Sequence, residues 1–184
     1  MGPLSSLDRV QSRSSGALIC TKTTPGEQQH KHMQIDYISI AKTIAALTAG
    51  ETDAVALMAT VVCELHHSDD RFDWTGFYRV SAPEVLKIGP YQGGHGCLVI
   101  PFSRGVCGAA ARTGQVQLVE DVEAFDGHIA CASSTRSELV VPVYNGAGDL
   151  LGVLDIDSDQ PGAFTRHDVD HLVPLMAEAF ADAR

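Results

Sequence analysis

The spacing of apolar residues changes twice along this chain and divides it into three stretches. Residues 1–32, rich in Ser, Thr, Gln and Gly, keep no apolar period and read as a disordered extension. Between 35 and 65 apolar positions recur at three- and four-residue steps, which predicts two helices. Ile35, Ile38, Ile40, Ile44 and Leu47 form the stripe of the first, closed by Gly50. Val55, Met58, Val62 and Leu65 form that of the second, with Thr52 or Asp53 as its N-cap. From Trp74 the period falls to two. Strands are predicted over 74–80, 85–90, 96–101, 115–119, 138–144 and 150–157. Asn145-Gly146-Ala147-Gly148-Asp149 is a hairpin signal between the last two. A short helix is expected from Gly105 to about Arg112. A final one follows Thr165-x-x-Asp168, close to a capping box, with Val169, Leu172, Val173 and Met176 on its apolar face. Helices at both ends of a mostly antiparallel sheet of about six strands describe an α+β sandwich over residues 33–184.

Composition narrows the function. A hydrophobic share of 45% suits a packed globular domain, and a net charge of −10 argues against nucleic acid, whose phosphates need a basic stripe. No apolar run approaches the roughly 20 residues that span a bilayer, and the N-terminus lacks a signal-peptide core. Met1-Gly2-Pro3-Leu4-Ser5-Ser6 fits the loose myristoylation pattern, but Pro3 beside the acceptor glycine speaks against it. Arg9, Arg13, Lys22 and Lys31 hint at a transit peptide without supplying its amphipathic helix. A plain tail and a cytoplasmic location are therefore expected. In a reducing compartment Cys20, Cys63, Cys97, Cys107 and Cys131 are more often buried, catalytic or metal-binding than stapled together.

Four places could carry chemistry. Cys97 and Cys107 are separated by ten positions, against the two to four of a zinc knuckle, so no metal is expected there. Cys97 falls at a strand start. Cys107 falls at a helix start, where the dipole favours a thiolate, and the sequence leaves this open against plain packing in a Gly-Ala-rich helix. Cys63, inside the second helix, reads as a small packing residue. The long connection from Glu120 to Ser134 holds Cys131 among Ala and Ser, where its sulfur could be reached, and the residues leave function and a bland role equally open; His128 reads as a solvated loop residue. Glu138 opens an apolar strand, and Asp155 and Asp157 share one face of another. Acids so placed are expensive unless they bind a cation, a metal or an amine, or share protons. Alternation also sets Trp74, Gly76 and Tyr78 on one face, which could line a small apolar pocket.

Together these segments resemble the free methionine-(R)-sulfoxide reductases, single-domain enzymes of GAF fold. The resemblance rests on Trp74-Thr75-Gly76-Phe77-Tyr78, Gly89-Pro90-Tyr91-Gln92-Gly93, Ile100-Pro101, Arg104-Gly105-Val106-Cys107-Gly108 and Glu120-Asp121-Val122. It extends through Phe125-Asp126-Gly127-His128-Ile129-Ala130-Cys131, Ser137-Glu138 and Gly152-Val153-Leu154-Asp155-Ile156-Asp157-Ser158, about residues 35–180 in all. It implies reduction of the free amino-acid sulfoxide with Cys131 as nucleophile, Cys97 as first choice of resolving partner and Cys107 as a third redox cysteine. The residues themselves do not decide between Cys97 and Cys107. It further implies that Glu138, Asp155 and Asp157 bind and polarise the substrate while Trp74 and Tyr78 enclose its methylthio end. A thioredoxin-like donor would restore the thiols, with no cofactor. Dimerisation is common among GAF domains, though no exposed apolar stripe marks a homodimer interface. Two rivals remain. A ligand-binding GAF sensor gives the cysteines no task, and a metal protein built on His95, Cys97, Cys107, His128 and Cys131 leaves the paired acids unexplained.

Overall fold

Six antiparallel strands form one sheet: β1 (Trp74–Ala82), β2 (Val85–Gln92), β3 (Val99–Pro101), β4 (Gln117–Val119), β5 (Ser137–Tyr144) and β6 (Leu150–Ser158). Their order across the sheet is β3-β2-β1-β6-β5-β4, so β1 and β6 are central. The four α-helices are α1 (Tyr37–Leu47), α2 (Ala54–His66), α3 (Gly105–Thr113) and α4 (Arg166–Ala179), with a 3-10 turn at Val122–Ala124. The computed structural model describes residues 35–127 and 133–184. The extension expected over 1–32, with Cys20, and the loop residues His128 and Cys131 lie outside the described residues.

Local chemistry sets the helix ends. Asp53, not Thr52, caps α2, its carboxylate accepting from the N–H groups of Val55 (2.9 Å) and Ala56 (2.8 Å). At α4 the Asp168 carboxylate accepts from the N–H of Thr165 at 2.7 Å, the capping box the sequence announced. Asp168 also takes the Tyr37 hydroxyl at 2.9 Å and Arg71 at 3.0 Å, so one buried carboxylate ties α1, the loop before β1 and α4 together. In the hairpin the Asn145 side chain accepts from the N–H groups of Ala147 and Asp149, and Gly148 takes the positive φ of 86° that the turn needs.

Strand alternation then divides the molecule into two cores. Phe77, Leu139, Val141, Val143, Leu154 and Ile156 face one way and bury against α1, α2 and α4. Trp74, Tyr78, Val140 and Val153 face the other way, towards α3 and its Val106, Cys107 and Ala110. Three helical faces differ from expectation, Val55 at the start of α2 being 42% exposed. Ile38 and Leu47, counted inward on α1, are 64% and 61% exposed, and on α4 Leu175 rather than Val173 fills the core. The first helix is short and one-sided, and three-residue spacing alone overestimates its buried arc. Cys63, expected to be a packing residue, is exposed because it sits on the solvent side of α2, directly after the buried pair Val61-Val62.

Candidate functional site

The register of the central strands assembles the acids. Across β1, β6 and β5 the pairs Trp74↔Asp157 and Glu138↔Asp157 lie directly opposite, and one step along lie Gly76↔Asp155 and Val140↔Asp155. Opposite residues share a face. Glu138, Asp155 and Asp157 therefore meet on the face that carries Trp74 and Tyr78. An edge does not excuse them, since β5 and β6 are both interior strands; Glu138 and Asp157 each stand one residue from a strand end, and Asp155 three. Glu138 is 6% exposed and Asp155 5%, and no described residue forms an ion pair with any of the three.

Aromatic rings stand beside the acids. Trp74 stacks on Tyr78 with centroids 5.8 Å apart and on Tyr91 at 5.4 Å, and its indole N–H donates to the carbonyl of Gly94 at 3.1 Å. The stack needs Gly76 beneath it: a Cβ there would lie 2.5 Å from Trp74 Cη2 and from Tyr91 Cβ. The loop before β3 crosses the rings closely, since a Cβ on Gly96 would lie 2.8 Å from the Tyr78 hydroxyl. That hydroxyl meets the backbone N–H of Cys97, while its burial and the nearby Asp155 raise its pKa.

The cysteines separate by environment. Cys97 lies half-buried in this loop, just ahead of β3 rather than at its first residue, and is disulfide-bonded; Cys63 and Cys107 are free thiols. Cys107 enters from α3, whose close seating on the end of β3 requires Gly108, where a Cβ would lie 2.6 Å from the carbonyl of Pro101. The Cys107 thiol donates to Glu138 Oε1 at 3.8 Å. Its pKa is pushed well up, first by burial and then by Asp155 and Glu138. The thiolate that a helix start could favour is thus suppressed, because burial and two carboxylates outweigh the dipole.

The same crowding acts on the acids. Burial, followed by the charges of Asp155 and Asp157, lifts Glu138 well above the ordinary carboxylate range, and burial with Asp155 does the same to Asp157. Asp155 rises less, to about 6, by burial. Crowding thus opposes ionising all three together, and a carboxyl kept protonated by it can donate a proton. Among the described residues the atoms spaced to hold a cation are those of Cys107, Glu138 and Asp155. Of the cysteine–histidine set, Cys107 belongs to this group, His95 is exposed, Cys97 is disulfide-bonded, and His128 and Cys131 lie outside the described residues.

Comparison with known proteins places this arrangement. The GAF domain family matches residues 30–182. Free methionine-R-sulfoxide reductase of Escherichia coli is 42% identical over 142 residues, covering 77% of this chain and 85% of that protein. The chain belongs to the free methionine-R-sulfoxide reductase family. Within that family, the reductase of Neisseria meningitidis, solved in complex with its substrate, superposes with a TM-score of 0.73 at 38% identity, covering 78% of this chain and 87% of that one. The fRMsr of Staphylococcus aureus in its reduced form gives a TM-score of 0.75 at 34% identity over 81% and 97% of the two chains.

Of the residues singled out from sequence, the structure gathers Trp74, Tyr78, Cys107, Glu138, Asp155 and Asp157 on one face, with Cys97 in the loop above. Sequence reasoning overlooked Tyr91 and Thr135. Tyr91 stands in the Gly89–Gly93 stretch, so a signal existed, whereas the hydrogen bond from Thr135 to Asp157 depends on the course of a loop.

Proposed function

We propose that this chain reduces free L-methionine-(R)-S-oxide to methionine. The observation that carries the reading is the trio Glu138, Asp155 and Asp157, the first two buried and the third half-buried, without a cationic partner among the described residues and set beside the Trp74–Tyr78 stack. A free amino acid offers what such a site lacks: an ammonium for the acids and an apolar methylthio group for the rings. The family and the substrate complex of the Neisseria meningitidis relative favour this reading over a ligand sensor.

The chemistry follows from thiols and carboxyls. The thiolate of Cys131 attacks the sulfoxide sulfur, and a protonated carboxyl of the trio delivers a proton to the oxygen. Methionine leaves, and the oxygen passes to Cys131 as a sulfenic acid. The Cys97 thiol displaces it as water and forms a disulfide, and a thioredoxin-like dithiol regenerates both thiols by exchange. Cys97 is preferred to Cys107 as resolving residue because Cys97 already takes part in a disulfide, while the Cys107 thiol is buried and its thiolate opposed. A cytoplasmic location, a folded domain over 33–184 behind an extension, and homodimerisation belong to the same proposal.

Turnover of free methionine-(R)-sulfoxide with a thioredoxin system tests it. Wild type should act on the free (R) isomer and leave the (S) isomer and peptide-bound sulfoxide untouched, and Cys131→Ser should be inactive. Absence of turnover with every sulfoxide and dithiol tried would leave a ligand-binding GAF domain.

A further inference from the structure

We propose that Cys107, Glu138 and Asp155 form a binding site for a thiophilic divalent cation, Zn²⁺ or Cd²⁺, which inhibits the protein rather than serving it as a cofactor. One ligand atom from each residue lies within 4.8 Å of the other two. The Cys107 sulfur is 3.8 Å from Glu138 Oε1, and a tetrahedral zinc with ordinary bond lengths separates a sulfur and an oxygen ligand by about 3.6 Å. Small side-chain rotations therefore suffice.

An independent observation concerns Asp155. Its side chain is 5% exposed, and its Oδ1 has no hydrogen-bond partner among the described residues. A buried carboxylate oxygen without a partner is costly, and a metal ion supplies the missing contact. The donor set also selects the ion. One sulfur and two oxygens suit zinc or cadmium, whereas calcium takes six to eight oxygens and magnesium about six. Three protein ligands leave a fourth position open, as in accessible rather than closed structural zinc sites. Binding exchanges the S–H bond of Cys107 for a metal–sulfur bond and releases the proton to water.

The consequence for activity rests on the proposed function. Glu138 and Asp155 would be the groups that receive the ammonium of the substrate, so the cation would compete with it, raising KM and leaving kcat unchanged.

Binding itself is read without activity. In the full chain with Cys20, Cys63, Cys97 and Cys131 all replaced by Ser, Cys107 is the only thiol left. Titration with CdCl₂ should produce the ultraviolet sulfur-to-cadmium charge-transfer absorption, saturating at one equivalent. Asp155→Asn or Glu138→Gln in that background should weaken binding at least roughly tenfold, the effect of disturbing even an outer partner of a metal site. No absorption from a variant shown to be folded by circular dichroism would overturn the proposal, as would affinity unchanged in both carboxyl variants. If the four-serine variant fails to fold, reduced wild type is compared with Cys107→Ser. One equivalent fewer is expected, and equal stoichiometry would overturn the site. Cadmium binding in a protein without reductase activity would uphold the site and sink only the proposed function.

Discussion

At the scale of single residues, the site is limited by volume as much as by charge. Gly76 is small because the Trp74 ring lies across it, and Trp74 is the only tryptophan of the chain, so its fluorescence reports on the site. Gly76→Ala should displace the indole, shift its emission to the red and cost about 1–3 kcal/mol by overpacking. Emission and urea midpoint of the variant, measured together, check this. A wild-type spectrum at wild-type stability would mean that the rings yield freely and that the glycine has another role. The alternation of Trp74, Gly76 and Tyr78 was legible in the sequence. That Tyr91 completes the stack was not, because it follows from a bulge in the pairing of β1 with β2 between Gly76 and Tyr78.

Among the elements, Asp168 bears most on how the layers are held together. It receives the Thr165 N–H, the Tyr37 hydroxyl and Arg71 while 1% exposed. Burial alone would raise its pKa, but the Arg71, Thr165 and Tyr37 hydrogen bonds outweigh this and hold it low. Asp168→Ala leaves the buried Tyr37 hydroxyl without its acceptor and Arg71 with only Asp69 and the Ala163 carbonyl, and should cost about 3 kcal/mol. The loss should appear in the urea midpoint while the ultraviolet signature of the helices survives. The capping motif itself could be read from Thr165-x-x-Asp168. The contacts to Tyr37 and Arg71, 131 and 97 residues away, could not.

For the whole molecule, these carboxyls predict opposing pH effects. Asp155, raised from 3.8 to about 6, favours the folded state most when protonated, so its contribution is full below 3.8 and is lost as pH climbs to about 6. Glu138 and Asp157 are shifted in the same direction. Asp168 is shifted oppositely: its contribution is present above the ordinary aspartate range and lost as pH falls below it. Urea midpoints measured across this range should therefore fall between pH about 4 and about 6 in wild type. Asp155→Asn should flatten that fall and be the more stable protein at neutral pH. Equal slopes for the two proteins would show that the Asp155 shift does not enter stability.

Local pattern alone was enough for the element order, the two-sided sheet and the shared face of Asp155 and Asp157, because backbone periods and turn residues act over a few positions. The meeting of Glu138 with Asp157 needed the tertiary structure. A ladder running unbroken from Tyr144↔Leu150 would pair Glu138 with Ile156, and the irregularity at Val143/Tyr144 shifts it by one to Asp157. One residue of slip exchanges the faces of a strand. Cys107 teaches the same lesson: its helix start invites a thiolate, yet the sheet beneath sets two acids against its sulfur. Periodicity settles which way a side chain points, but only the register and the neighbouring layer settle what it points at.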